Sequence, residues 1–387
     1  MFKILTLNKI SPLGLTLLPP DSYEHASEIP HPDGILVRSQ DMLKMDIPST
    51  VQAIARAGAG VNNIPVERCS EQGIVVFNTP GANANAVKEL VILGLLLGSR
   101  KVYQGIAWTR SLAGKGLEVK KLIEKEKSNF TGPEIKGKTL GILGLGAIGV
   151  LVANDAAALG MKVIGRDPYI SVESAWGLSR DVQCATSLEN LISECDYISI
   201  HMPLTDETRG FLNRNRFKFM KKGVVLLNFS REELVDEESL LEALQDGTVS
   251  TYVTDFPGDV LLKLDNVIPI PHLGASTPEA EDNCAIMAVK QMKEFLENGN
   301  ITNSVNFPGC FMERSGKKRV VIGNKNIPNM IGQITPILAA NNTNISDFLN
   351  KSKGDYAYNI IDIDSDIDET TINALKKING VVMVRVI

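Results

Sequence analysis

Four short stretches carry the side chains that could do chemistry. They are His201-Met202-Pro203, Asn228-Phe229-Ser230-Arg231, Asp255-Phe256-Pro257-Gly258-Asp259 and Pro271-His272-Leu273-Gly274. Each directly follows a short apolar run (197–200, 224–227, 250–254 and 267–270) of the kind that forms a buried parallel strand. Ligands in open α/β sheets bind beyond the carboxyl ends of the strands. An arginine, acids and a histidine are therefore expected on one edge. Hydride transfer at a carbon bearing a hydroxyl needs such a set. A histidine near neutrality takes the hydroxyl proton, a carboxylate beside it stabilises the imidazolium, and a guanidinium grips a substrate carboxylate with two parallel bonds. On this reading His272 is the base, Arg231 the carboxylate clamp and Asp259 the supporting acid. Ordinary alternatives stand beside each role: a surface ion pair for Arg231, a solvated turn acid for Asp259, and a structural histidine for His201, whose partners are less obvious.

The element that must position these groups is the stretch 138–167. An apolar run at 139–143 is followed by Gly144, Gly146 and Gly149 at G-x-G-x-x-G spacing, then a helix rich in Ala, Leu and Val over 150–159 and a second strand at 162–165. The first glycine permits a tight turn, the second lets a pyrophosphate approach the backbone, and the third lets helix and strand pack closely. The helix N-terminus offers free N–H groups to phosphates. Asp167 follows Gly149 by 18 residues, where an acid bonds a ribose hydroxyl and repels a 2′-phosphate, so NAD is favoured over NADP. Arg166 beside it weakens that preference somewhat.

Around this core the chain reads as an α/β protein. Before it, apolar runs at 3–7, 34–38, 53–55 and 73–77 alternate with helical segments and form a separate lobe, with the glycine turn Arg56-Ala57-Gly58-Ala59-Gly60 able to approach a ligand. Residues 84–102 read as one long apolar helix crossing between lobes, and 115–127 as a charged loop or solvated face. After the fingerprint come the four strands above, helices at 214–220 and 237–245, and a long helix over 278–298 that returns to the first lobe. These repeats make a doubly wound parallel sheet. The tail, 318–387, has the order βαββαβ of a ferredoxin-like unit, after an extended linker. The domain reading is 1–91 substrate lobe, 92–275 nucleotide-binding domain, 276–307 return helix of the substrate lobe, 308–317 linker and 318–387 terminal module.

Composition excludes other classes. A length of 387 residues with 44% hydrophobic content supports two or three domains, and a net charge of −5 argues against a dedicated nucleic-acid surface. There is no run of 18 apolar residues to span a membrane, and the opening Met1-Phe2-Lys3-Ile4-Leu5 reads as a strand rather than a signal peptide. Five scattered cysteines fit free thiols in a reducing cytoplasm. No C-x-x-C or histidine pair at ligand spacing occurs, so no metal site is expected.

The motifs Val37-Arg38-Ser39, Arg56-Ala57-Gly58-Ala59-Gly60-Val61-Asn62-Asn63, Asn78-Thr79-Pro80, the glycine fingerprint and Pro271-His272-Leu273-Gly274-Ala275-Ser276-Thr277 resemble those of the D-isomer-specific 2-hydroxyacid dehydrogenases over nearly the whole chain. The resemblance implies a two-lobed fold, a Rossmann-type domain beside a discontinuous flavodoxin-like substrate lobe. It implies Arg231 and His272 as catalytic, with Asp259 the nearest counterpart of a glutamate in a D-V-F-x-x-E-P motif that is shorter here. For NAD it implies contacts from Gly144, Gly146, Ala147, Ile148, Gly149, Asp167, Pro168, Met202, Phe229, Ser230, Arg231, Asp255, His272 and Gly274, with Asp255 near the nicotinamide carboxamide. For substrate it implies Arg38, Arg56, Ala59, Gly60, Asn83, Arg231 and His272. The members it most resembles oxidise 3-phospho-D-glycerate in serine synthesis; glycerate, hydroxypyruvate, glyoxylate, D-lactate and 2-hydroxyglutarate enzymes are the alternatives, as is an NAD-responsive corepressor that acts as a binding module. The tail looks like an ACT domain, which implies L-serine as an effector near Asn324, Asn326 and Asn344; Asn329 stands where a glycine would face that effector, and a purely structural or dimerising tail is the alternative. A homodimer is expected, or a homotetramer through the tail.

Overall fold

The computed structural model describes residues 1–387, which divide into two compact units: 1–83 with 278–387, and 84–277.

The second unit is built on a seven-stranded parallel sheet. Its order is Val267–Pro269, Val249–Thr254, Val224–Asn228, Tyr197–Ile200, Thr139–Leu143, Lys162–Arg166 and Val182–Cys184. Strand order reverses beside Thr139–Leu143, at the fingerprint, which is where a doubly wound sheet opens a ligand crevice. Apart from the half-buried Thr139 the central strands are buried, which is why they read as predominantly apolar runs. The long apolar helix is shorter than its sequence pattern: it spans Ala84–Ser99, and a second helix, Val102–Ser111, leaves it at 71°. It packs within this unit, where Val87, Val91 and Leu95 join the core formed by Leu140, Ile142, Val225 and Leu227. The charged stretch expected as a loop or solvated face contains the helix Glu118–Glu126, none of whose residues is buried, so the solvated face holds. No single helix is long and apolar enough to cross a membrane.

The first unit holds a five-stranded parallel sheet in the order Tyr23–Ala26, Phe2–Leu7, Gly34–Val37, Ala53–Arg56 and Val75–Phe77, the flavodoxin-like order. The return helix, Pro278–Asn298, packs on it through Cys284, Ala288, Met292 and Phe295. The tail forms a four-stranded antiparallel sheet in the order Ile345–Lys353, Tyr356–Ile363, Lys318–Lys325 and Val381–Val386, with helices Met330–Ala340 and Glu369–Lys376. This is the βαββαβ arrangement, compatible with an ACT-like domain.

The tail has a core of its own, formed by Val320, Ile322, Ile334, Leu338, Ile361, Ile363 and Leu375, and its sheet also packs on the rest of the first unit. Val321, Tyr358 and Ile360 share one hydrophobic core with Phe77, Phe295 and Phe307. Arg319, wholly buried, organises the junction. Its Nε and Nη2 reach the two oxygens of Asp362 at 2.7 and 2.9 Å, Nη1 donates to the carbonyls of Asn298 and Met312 at 2.9 and 3.0 Å, and Nη2 donates to that of Glu313 at 3.0 Å. One side chain thus ties the end of the return helix, the connecting segment and two strands of the tail. The Tyr358 hydroxyl donates to Gly299 O at 2.7 Å, and Arg385 donates to Phe295 and Leu296 carbonyls at 3.2 and 2.8 Å, so the open carbonyls at the helix C-terminus are satisfied from the tail. Asn306 is buried against the sheet, bonding Val76 N and Ile74 O at 2.9 Å each.

Both members of the Arg319–Asp362 pair are fully buried. Burial works against the Asp362 charge, but the bonds from Arg319 and the Ser315 N–H outweigh it and hold the carboxyl below its ordinary value. Removing one partner strands the other charge in the core. Arg319→Met is expected to cost about 3–5 kcal/mol in a denaturant titration. Because the folded value of Asp362 is depressed, its contribution is present above the unfolded carboxyl value of about 3.9 and is lost as pH falls through the folded one. The wild-type advantage over Arg319→Met is therefore expected to shrink in unfolding experiments carried below about pH 4.

Candidate active site

The glycine turn is shaped by contacts rather than by side chains. Gly144 has φ +94°, in the left-handed region, and a Cβ there would lie 2.8 Å from the carbonyl of His201. A Cβ on Gly149 would lie 2.0 Å from Gly144 O, so only glycine lets the helix begin against the strand. Gly146 differs: its φ is −74° and nothing lies within 4 Å of a Cβ built on it. Its missing side chain therefore leaves open space for a ligand, which is what a pyrophosphate approaching the backbone requires. The helix Ala147–Ala158 has no side-chain cap at its N-terminus, which leaves its first N–H groups for an anion. Asp167 is aimed by two backbone donors: Leu145 N–H to Oδ2 at 2.8 Å and Tyr169 N–H to Oδ1 at 2.9 Å. Each oxygen keeps a lone pair for a ribose hydroxyl. This donor and acceptor set fits a dinucleotide.

His201 lies beneath this turn. Its Nε2 is 2.8 Å from Ser199 Oγ, its Nδ1 is buried without a partner, and burial pushes its pKa down to about 4. It is a neutral packing histidine, the ordinary alternative. Ala147 and Ile148 lie within the turn, and Pro168 and Met202 follow the strands on either side; Ala147 and Pro168 are exposed, and Ile148 and Met202 half-buried.

The Asn228–Arg231 turn is locked by its first residue. Asn228 is fully buried; its Oδ1 accepts from Ser230 N–H at 3.1 Å and its Nδ2 donates to Arg231 O at 2.8 Å and to the Tyr252 hydroxyl at 3.2 Å. Ser230 Oγ donates to Ile200 O at 2.8 Å, joining the ends of two neighbouring strands. Phe229 is buried in the core. Arg231 thus leaves a rigid turn with an exposed side chain, and its Nη1 donates to Ser230 O at 2.7 Å.

Phe256 brings the arginine and the histidine together. The Arg231 guanidinium lies 5.8 Å from its ring centroid, and the His272 ring lies 4.4 Å from it at 49°. Two side chains that are 41 positions apart in the chain therefore share one aromatic surface at the carboxyl edge of the sheet. No motif in the sequence singles out Phe256; its place directly after Asp255 was the available signal.

Asp259, expected beside the histidine, is elsewhere engaged. Its carboxylate bonds Lys263 Nζ at 2.6 Å, one helical turn on, and its side chain is 83% exposed. The other acid of this stretch, Asp255, is 3% exposed, and its Oδ1 is buried without a hydrogen-bond partner. Burial raises its carboxyl above the ordinary value, while His272, the Gly274 N–H and Arg231 pull it down.

The expected substrate residues of the first unit cluster at the ends of two adjacent strands. Arg38 forms an ion pair with Glu281 of the return helix at 2.7 Å. Arg56 Nε donates to Arg38 O at 3.0 Å, and its guanidinium folds over Gly58, where a Cβ would be 2.5 Å from Nη1. The glycine turn is held from below by Asn78 Nδ2 to Ala59 O at 2.6 Å and Thr79 N–H to Gly58 O at 3.1 Å. Ala59 is exposed, and Gly60 and Asn83 are half-buried. The three asparagines expected at an effector site are not gathered within the chain. Asn324 is buried, its Oδ1 accepting from Asn359 at 2.8 Å; Asn326 donates to Gly354 O at 3.0 Å; Asn344, at the far end of the sheet, donates to Asp364 at 2.6 Å. Asn329 adopts φ +64°, the left-handed conformation glycine favours. No group of three or more metal-ligating side chains occurs.

Comparison with known proteins agrees with this geometry. Residues 95–274 match the model of the D-isomer specific 2-hydroxyacid dehydrogenase NAD binding domain. The chain is 37% identical over 303 residues to a D-3-phosphoglycerate dehydrogenase of Methanocaldococcus jannaschii, covering 76% of this chain and 55% of that protein. It is 36% identical over 294 residues to the Homo sapiens protein of the same name, covering 73% and 52%. It thus spans about half the length of these curated relatives. Among solved structures, an NAD+-bound 3-phosphoglycerate dehydrogenase of Entamoeba histolytica superposes with a TM-score of 0.60 at 28% identity, covering 79% of this chain and 98% of that one. A glyoxylate reductase of Paecilomyes thermophila superposes with a TM-score of 0.63 at 25% identity, covering 79% and 98%. Residues 95–274, which carry the glycine turn and the Arg231 turn, are thus similar to the NAD binding domain of the D-isomer specific 2-hydroxyacid dehydrogenases.

Proposed function

We propose that the chain is an NAD-dependent oxidoreductase that oxidises 3-phospho-D-glycerate to 3-phosphohydroxypyruvate, the first step of L-serine biosynthesis. The observation that carries the reading is the placement of Arg231 and His272 against one ring, Phe256, at the strand edge that also holds the dinucleotide turn. The names of the relatives narrow the substrate to phosphoglycerate. The structural likeness to a glyoxylate reductase keeps glyoxylate or hydroxypyruvate reduction as the second reading.

In this mechanism Arg231 holds the substrate carboxylate by paired bonds and draws electron density from the C2 oxygen as it becomes a carbonyl. His272 takes the hydroxyl proton. NAD, when bound, supplies the acceptor for the hydride leaving C2. Gly144, Gly146 and the N–H groups of Ala147 and Ile148 would hold its phosphates, and Asp167 its ribose. For the substrate's phosphate the proposal looks to Arg38 and Arg56. A homodimer or homotetramer is proposed on the partly exposed Leu93, Leu96, Tyr103 and Ile106 of two adjacent helices. A reducing cytoplasm suits five cysteines that are all free.

For the tail we propose a structural role in the first unit rather than serine sensing. Its candidate effector side chains are committed to bonds inside the protein, and Asn329 Oδ1 folds over the helix start at Gly332, where it would meet a Cβ at 2.1 Å.

The first test is NADH formation with 3-phosphoglycerate, and NADH consumption with phosphohydroxypyruvate. Turnover in both directions is expected; reduction of glyoxylate or hydroxypyruvate alone overturns the phosphoglycerate assignment. Arg231→Ala, at an exposed side chain, is expected to lower kcat/KM about 100-fold or more while NADH binding and melting temperature hold. Gly146→Val should separate folding from binding: its Cβ meets no atom, so stability is expected to hold while NADH affinity, read by fluorescence titration, falls about tenfold or more. Millimolar L-serine is expected to leave turnover unchanged; inhibition would overturn the structural reading of the tail.

A further inference from the structure

We propose that Gln291, on the return helix, is a positioning residue for the substrate: through Asn78 it holds the glycine turn at 56–60 in its binding conformation, and Asn303 sets which end of its amide faces Asn78. The inference rests on the dehydrogenase reading above, in which Ala59 and Gly60 meet the substrate.

The turn leaves the strand Ala53–Arg56 and is held by its carbonyls. Thr79 N–H donates to Gly58 O at 3.1 Å, and Asn78 Nδ2 donates to Ala59 O at 2.6 Å. The N–H groups of Ala59 and Gly60 bond no protein atom and are left as donors for an anion. The turn is therefore only as well placed as Asn78, which follows the strand Val75–Phe77. Two groups fix the Asn78 backbone. Gln291 Nε2 donates to its carbonyl at 2.9 Å, across 213 positions of sequence, and its own N–H donates to Asn303 O at 3.4 Å.

Gln291 is 7% exposed, so its amide needs partners inside the protein. A glutamine amide can be turned end for end at little steric cost, but here the two settings are not equivalent. Asn303 Nδ2 donates to Gln291 Oε1 at 2.7 Å, which leaves Nε2 to face the Asn78 carbonyl. Reversed, two oxygens would meet at Asn78 and two N–H groups at Asn303. Asn303 is itself placed by a backbone in the left-handed region, φ +56°, and by the following residue, Ser304, which bridges Phe77. Nothing in this relay donates or accepts a hydride or a catalytic proton. Its loss is therefore felt in binding, because a displaced turn weakens its contacts to substrate in the ground state and the transition state alike.

The test uses the full chain and three substitutions. Gln291→Met removes both amide bonds at nearly constant volume. Asn303→Gly removes the donor where the backbone already suits glycine, and Asn303→Asp replaces it with an acceptor that draws Nε2 away from Asn78. KM for 3-phosphoglycerate is expected to rise about tenfold in Gln291→Met and Asn303→Asp and about threefold in Asn303→Gly, with kcat and NADH affinity within about twofold of wild type. In the chain free of cofactor and substrate, hydrogen exchange of the Thr79 N–H, followed by mass spectrometry, is expected to quicken about tenfold in Gln291→Met. A purely structural glutamine would lower the melting temperature and leave KM in place; that result overturns the proposal. So does a fall in kcat with KM in place, an Asn303→Asp variant no worse than Asn303→Gly, or unchanged Thr79 exchange in Gln291→Met. Should Gln291→Met fail to fold, the order of the two variants at the exposed Asn303 decides. If the chain turns over glyoxylate or hydroxypyruvate instead of phosphoglycerate, the substrate assignment falls; the same KM order on that substrate, with the same exchange, leaves this inference standing.

Discussion

Parallel pairing is the constraint on which the site depends. When every strand of a sheet runs the same way, every strand ends on the same edge, and the residue that follows each one is delivered there. The glycine turn, Asp167, the Asn228 lock, Asp255 and His272 come from separate stretches of chain, and none touches another in sequence. The seven-stranded sheet collects them without any direct instruction between them. Its cost is the crossover each strand needs, and the helices that supply it also cover both faces of the sheet.

The same constraint explains what was legible in the sequence. Strands buried on both faces are runs of Val, Ile and Leu, so Tyr197–Ile200 and Val224–Asn228 were plain, and the chemistry was found by reading one position past each. Strands at sheet edges were not: Tyr23–Ala26 carries Glu24 and His25 to solvent, and Val182–Cys184 is three residues long. Neither presents an apolar run. The long helix was overread because hydrophobicity continues through Val102 while the backbone turns at Arg100 and Lys101.

Contacts between distant side chains were the least legible. The stretch Asp255–Asp259 contains two acids, and the family resemblance pointed to the second as the histidine's partner. In the fold Asp259 faces water and pairs with Lys263, whereas Asp255 is enclosed. Likewise Arg319 follows Lys317 and Lys318 near the start of a strand, and nothing in that run marks it as buried. Its burial follows from Asp362, 43 residues later, and from carbonyls at the end of the return helix. Only the tertiary fold supplies both.

The arginine junction also governs how this protein can be taken apart. A chain cut before residue 318 would lose Val321, Tyr358 and Ile360 from the core that Phe77 and Phe295 share, and would leave the last carbonyls of the return helix bare. That helix begins at Pro278 and carries Glu281, the partner of Arg38. The terminal module is thus not an accessory that can be exchanged between enzymes at a linker. Any chimera that moves it must carry the helix and the connecting segment with it, as one inherited block.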